Sequence, residues 1–232
     1  MRVLGLDPSL TAFGWAIHDT SGKGNTRCAG HGRFSTPSKM VEPDRYTAQS
    51  DSLRSIIQQH QPDAVALESP VFGERYSEGM YALYVVVSQA LRLERMDTVL
   101  WSPGQIKAFA KELLDRPSTW GSMTKSDMVE AARWDTREGD YKLGRIRNHN
   151  EADAYLCSVL GARFWQLQRG EITEDTLTER EHIQFLHTHT YQRGKKAGKT
   201  ERKGTLYRKG DRYFLWSQED SPWPEPKRKA LP

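Results

Sequence analysis

The stretch Val3-Leu4-Gly5-Leu6-Asp7-Pro8-Ser9-Leu10-Thr11, with Gly14-Trp15-Ala16-Ile17 close behind it, decides the fold class. Val3 to Leu6 is a short apolar run that ends in a carboxylate, and Gly14 to Ile17 is a second run. A weaker third lies at Cys28 to Phe34, beyond the turn-forming Gly22-Lys23-Gly24-Asn25. Strands so closely spaced predict an antiparallel meander. Working outward, Tyr46, Leu53, Ile56 and Ile57 recur at helical spacing and stop before Gln61-Pro62, which predicts one amphipathic helix.

The middle of the chain alternates strand and helix. Ala64-Val65-Ala66-Leu67 is an apolar run ending at Glu68, and a long helix is expected from about Ser77 to Arg95. Thr98 to Trp101 reads as a strand. Ser102-Pro103 opens a helix whose buried face is Ile106, Phe109, Ala110, Leu113 and Leu114. Thr124 with Asp127 resembles a weak capping box for a short helix through Trp134, and a last helix is expected over residues 150–167. This order predicts an α/β fold: a mixed sheet with helices on both faces.

Charge sorts by region. Residues 191–232 hold 12 Lys+Arg against 5 Asp+Glu, whereas residues 1–190 hold 22 against 25. The expected division is therefore a domain over residues 1–168 and a basic extension over 169–232, with a β-hairpin from Leu206 to Trp216. A basic tail on a near-neutral body favours an anionic polymer as partner, although solvated surface has the same composition. No apolar run is long enough for a membrane span. Cys28 and Cys157 are the only cysteines, so neither a disulfide framework nor a thiolate zinc site is indicated, and a cytoplasmic setting is expected. The His182, His187, His189 segment has no ligand spacing and reads as solvated.

A carboxylate that closes an apolar strand must be solvated, paired or metal-bound. Asp7 and Glu68 both stand at such ends, where adjacent strands open onto one crevice. Asn150 and Asp153 share a face near the start of the last helix, and Glu151 points about a hundred degrees away. Turn and helix-dipole roles account for each acid alone. Three carboxylates on rigid elements, offering oxygen only, suit one or two Mg²⁺ or Mn²⁺ ions.

The strings Val3–Thr11 with Gly14-Trp15-Ala16, Leu67-Glu68-Ser69-Pro70, Ser102-Pro103 to Ile106-Lys107, Thr124-Lys125-Ser126-Asp127-Met128 and Glu151-Ala152-Asp153-Ala154 resemble the RuvC family of Holliday-junction resolvases. That family is a branch of the RNase H-like nucleases. The resemblance covers residues 1–168 and implies an RNase H-like mixed sheet flanked by helices. It further implies that Asp7, Glu68 and Asp153 are catalytic, metal-binding carboxylates and that Lys107 and Lys125 contact DNA phosphates. Family members usually carry an acid, sometimes His, three before the last Asp. Asn150 stands there, so it is a neutral ligand or is compensated by Glu151 or His149. Phe72, Arg75 and Tyr76 match a loop near the junction centre, with an aromatic suited to stacking on bases. The helix side formed by Met80, Leu83, Val87, Ala90 and Leu91 resembles the family's dimer element, and serves equally as monomer core.

The resulting expectation is a Mg²⁺-dependent endonuclease, two ions per site, that resolves branched DNA, especially four-way junctions, as a homodimer. The long extension and Asn150 favour a phage-encoded member. Two rivals remain open: an actin- or chaperone-like ATPase, against which stands the lack of any G-x-G in residues 60–190, and a branched-DNA-binding protein whose site Asn150 has reduced.

Overall fold

The computed structural model describes residues 1–21, 25–70, 77–117, 121–137, 146–178, 181, 185–186, 188–190, 200–202, 206–209 and 212–215. Five strands form one sheet: β1 (Arg2–Asp7), β2 (Ala12–Ser21), β3 (Asn25–Ser35), β4 (Ala64–Glu68) and β5 (Thr98–Trp101), in the order β3-β2-β1-β4-β5. β1, β2 and β3 pair antiparallel; β4 joins β1, and β5 joins β4, in parallel. The parallel pairs require crossovers, which α1 (Glu42–His60) and α2 (Glu78–Leu93) supply. The mixed sheet expected from the apolar runs is present.

Alternation divides the sheet into two faces. Leu4, Leu6, Phe13, Ile17, Val65 and Leu67 form one core cluster with Leu53, Ile56 and Ile57 of α1 and with Leu83, Val87, Ala90 and Leu91 of α2. Each such side chain contributes about 1.5–3 kcal/mol on leaving water. The α2 side anticipated as a dimer face is thus largely the protomer's own core, because those four residues are at most 3% exposed. The apolar residues that α2 leaves exposed are Tyr81, Val85 and Leu93.

Local signals set the helix ends. α1 has Pro in its first turn and ends at Gln61, which is left-handed with φ 47° and precedes Pro62. Ser77 caps α2 by accepting from Met80 N. α3 (Pro103–Leu113) opens on a full capping box between Ser102 and Gln105. In α4 (Lys125–Arg137) the expected box is made by Thr124 and Asp127, each accepting the other's backbone N–H.

α5 (His149–Gln168) lies on the opposite sheet face from α1 and α2. It sits unusually close. A Cβ on Gly5 would collide with the Ala154 carbonyl oxygen, and one on Gly14 would collide with that of Asn150. Trp101 packs edge-on against Phe164 on the same side. The chain divides into two compact units, Met1–Gln166 and Leu167–Pro232. Within the second, β6 (Thr188–Thr190) pairs with β7 (Thr200–Arg202), and β8 (Leu206–Lys209) with β9 (Arg212–Leu215), both antiparallel.

His18 of β2 is buried under α5, its Nδ1 2.6 Å from Ser158 Oγ. That hydroxyl gives its single proton to the Tyr155 carbonyl, so the imidazole must donate from Nδ1. Burial holds its pKa down to about 3. An unfolded chain binds a proton at this His below about pH 6.5 and the folded chain does not, so stability present above that pH is lost on acidification. His18→Leu is expected to flatten the fall in denaturation midpoint between pH 6.5 and 4, measured by urea unfolding. An unchanged slope would assign the acid sensitivity elsewhere.

Candidate metal centre

Asp7 ends β1 opposite Gly14, and Glu68 ends β4 opposite Trp101. Gly5, two residues before Asp7, faces α5, and Ala66, two before Glu68, lies against Gly161 of α5. The period of two therefore aims both carboxylates at that helix. Asp153, on its second turn, meets them. One carboxylate oxygen from each of Asp7, Glu68 and Asp153 lies within 4.8 Å of the others, and all three residues are half-buried.

Three acids this close cannot all ionise freely. Burial, then the charges of Glu68 and Asp153, pushes Asp7 well above the carboxylate range, and Asp7 and Glu68 share a hydrogen bond. Burial and Asp153 raise Glu68 to about 7. Burial raises Asp153 to about 6, against the opposing pull of Lys107 and Lys125. The metal-free cluster thus retains protons near neutrality. Its donors are all carboxylate oxygens held against mutual repulsion, which is the environment that a hard divalent cation relieves. The three residues fit such an ion.

Lys107 on α3 and Lys125 at the start of α4 are exposed, and both act electrostatically on the cluster. Lys125 is steadied by its helix start: Thr124 and Arg116 hold the Asp127 carboxylate down to about 2, with Arg116 Nη1 at 2.6 Å. Cys157, one turn beyond Asp153, is fully buried, and burial and the nearby acids keep its thiol protonated. Phe72, Arg75, Tyr76 and the His182 and His187 positions lie outside the described residues, as does the side chain of His189.

Position 150 has a specific geometry. Asn150 is 7% exposed, and its Nδ2 donates to the Ala12 carbonyl. Neither proposed substitute for its missing charge joins the carboxylate group among the described residues. Glu151 turns instead to Asn148, in a reciprocal cap in which Asn148 Nδ2 donates to Glu151 Oε1 and Glu151 N donates to Asn148 Oδ1. Its other oxygen accepts from Arg147 N and lies 3.6 Å from His31 Nδ1 on β3. The spacing Asn148-x-x-Glu151 is a capping-box signature and was the available signal for this role. His149 is half-buried beside Lys125, and that burial favours its neutral form.

Mixed sheet, α5 and carboxylates at the strand ends define an RNase H-like fold with an acidic centre. The family model described as crossover junction endodeoxyribonuclease RuvC matches residues 3–109. The protein of that name from Finegoldia magna is 31% identical over 181 residues, covering 71% of this chain and 96% of its own. That from Chloroflexus aggregans is 35% identical over 80 residues, 34% of this chain, and there the match spans about half of the relative's length (48%). The Thermus thermophilus RuvC structure superposes with a TM-score of 0.57 at 19% identity, covering 72% of this chain and 96% of that one, and its complex with a Holliday junction substrate with 0.56. The chain belongs to the RuvC family.

The cluster has a testable cost. Above the raised pKa values its charges oppose folding, whereas below them the protons are already in place. Asp7→Asn is therefore expected to raise the Tm of the metal-free protein at pH 8 by about 2–6 °C, as expected for about 1–2 kcal/mol in a chain of this size. The gain should vanish at pH 5. The Tm increase that Mn²⁺ gives the wild type should be absent in the variant. A lower Tm at pH 8 would show that Asp7 serves the fold.

Proposed function

We propose that the chain is a metal-dependent endonuclease that cuts four-way DNA junctions in paired events. The observation that carries this reading is the convergence of Asp7, Glu68 and Asp153, from two strands and a helix, into one acidic centre flanked by two lysines. Family membership and the relatives' shared name support the substrate class.

Two Mg²⁺ ions, with Mn²⁺ able to substitute, would supply an activated water and stabilise the departing 3′ oxygen. The three carboxylates would hold them, and Asn150 would offer only a neutral oxygen. Lys107 and Lys125 grip the phosphates on either side of the scissile bond, and their exposure leaves them free to do so. Hydrophobic burial around Val99, Trp101 and Cys157 keeps bulk water from the floor of the site. Phe72, Arg75 and Tyr76 contact the junction centre. The protein acts as a homodimer whose two centres match the two-fold symmetry of the junction, and Tyr81 and Val85, one turn apart on the exposed side of α2, supply its apolar contact.

The direct test is cleavage of a labelled junction. Wild type should give paired nicks in strands of like polarity with Mg²⁺ and none with EDTA. Asp7→Asn, Glu68→Gln and Asp153→Asn should each lower the rate by about 10²-fold or more while junction binding stays near wild type. Binding without cleavage at any Mg²⁺ concentration would leave a branched-DNA-binding protein. Magnesium-dependent ATP hydrolysis in its place would favour the ATPase reading.

The basic extension adds affinity without chemistry, since every proposed catalytic group lies before residue 154. Replacing Lys195, Lys196, Lys199 and Lys203 by Gln in the full chain should flatten the plot of log K against log salt, by up to about 0.9 for each phosphate that is no longer neutralised. Cleavage at saturation should not change. An unaltered salt slope would remove these lysines from the DNA interface.

A further inference from the structure

The turn between β1 and β2 follows Asp7 directly, and its carbonyls from Ser9 onward, with that of Ala12 at the start of β2, are bound by groups from elsewhere. Gln49, on α1 and 0% exposed, donates from Nε2 to Ser9 O at 3.0 Å and to Leu10 O at 2.7 Å. Thr36 donates from Oγ1 to Leu10 O at 3.0 Å and from its backbone N to Thr11 O at 3.2 Å. Asn150 takes Ala12 O from the α5 side. Arg45, one turn before Gln49, in turn holds the segment that carries Thr36, its Nη2 donating to the carbonyls of Pro37, Ser38 and Met40. Carbonyls 9 to 12 are thus gripped from α1 on one side and α5 on the other.

We infer that Gln49 is a positioning residue for Asp7, its buried amide fixing the turn that sets where the Asp7 carboxylate stands. Two converging acceptors require a donor, so the orientation of the amide follows from its surroundings. Stability alone does not account for it. Gln49 Oε1 is buried with no partner among the described residues, and such an atom costs stability. That offsets part of what the two bonds contribute, while an apolar side chain would remove this atom yet leave the Ser9 carbonyl without its donor. What the amide provides is direction: Asp7 must meet Glu68 and Asp153 within 4.8 Å, and a shift of about 1 Å at its backbone spoils a shared ion.

The inference rests on the metal-nuclease reading, and the experiment separates the two. Mn²⁺ affinity is measured by electron paramagnetic resonance of the free ion, independent of cleavage, alongside Tm and metal-free junction binding. Gln49→Met, close in shape and unable to donate, is expected to weaken Mn²⁺ binding about 10-fold, the scale of outer-shell effects. Tm should fall by no more than a few degrees and junction affinity should stay at its wild-type value, so that the loss of Mn²⁺ affinity exceeds what the change in stability explains. Thr36→Val, acting on the same carbonyl from a partly exposed position, should weaken Mn²⁺ binding in the same direction and carries the test if Gln49→Met does not fold. Ser52→Ala, which alters α1 away from the turn, should change nothing. Wild-type Mn²⁺ affinity in both turn variants, or a loss that only tracks a falling Tm, overturns the inference. A wild type that binds Mn²⁺ but cuts no junction overturns the nuclease reading and leaves the positioning role to be judged on affinity.

Discussion

The backbone of α5 rests on the backbones of β1 and β2, and it does so because Gly5 and Gly14 offer no side chain at the points of contact. Any Cβ there would collide with a helix carbonyl, far inside contact distance and with no flexible group to yield. Helices normally stand off a sheet by the thickness of two side-chain layers. Here that spacer is removed where the helix begins, which lets Asp153 reach acids whose own reach is limited to one side chain beyond the strand ends. A helix seated at the usual distance would leave Asp7 and Glu68 as a pair and Asp153 as a helix-surface residue.

Close seating fixes distance, and the surrounding charges fix the protonation. Burial raises all three carboxyls, and Lys107 and Lys125 lower them only in part. The other titratable groups buried on this side are kept neutral: His18 by burial against Ser158, Cys157 by burial beside the acids. Among the described residues, nothing else in the floor of the site competes for a cation. Binding an ion must displace the protons that the cluster retains near neutrality, so metal affinity and proton release are linked. The two lysines remain exposed beside the cluster and temper its repulsion without removing it.

Much of this was legible because it follows from short-range rules. An apolar run ending in Asp or Glu marks a strand whose last residue leaves the core, and both Asp7 and Glu68 obey that reading. Ser102 with Pro103 and Thr124 with Asp127 announced two helix starts by local chemistry alone. What stayed hidden depends on which element lies against which. Helical spacing showed that Glu151 diverges from Asn150 and Asp153, but not that His31 of β3 waits on that side. Periodicity gave α2 an apolar side without saying whether α1 and the sheet or a second copy would cover it. Arg45 and Gln49 read as ordinary polar positions of an amphipathic helix, since nothing local reveals that carbonyls from two loops converge on them.

The neutral residue at position 150 follows from the same seating. Its side chain is caught between α5 and β2, with the Ala12 carbonyl within donor reach. A carboxylate there would confront that oxygen with no proton to give and would add a fourth charge to a cluster whose pKa values are already raised by mutual repulsion. Asn satisfies the carbonyl and ties the first turn of α5 to the start of β2, just beyond the turn that follows Asp7. The bond joins α5, which carries Asp153, to β2, which the turn after Asp7 connects to β1. Neutrality at position 150 thus goes with a bond that fixes backbone, and Gln49 fixes the same stretch from the other face of the sheet.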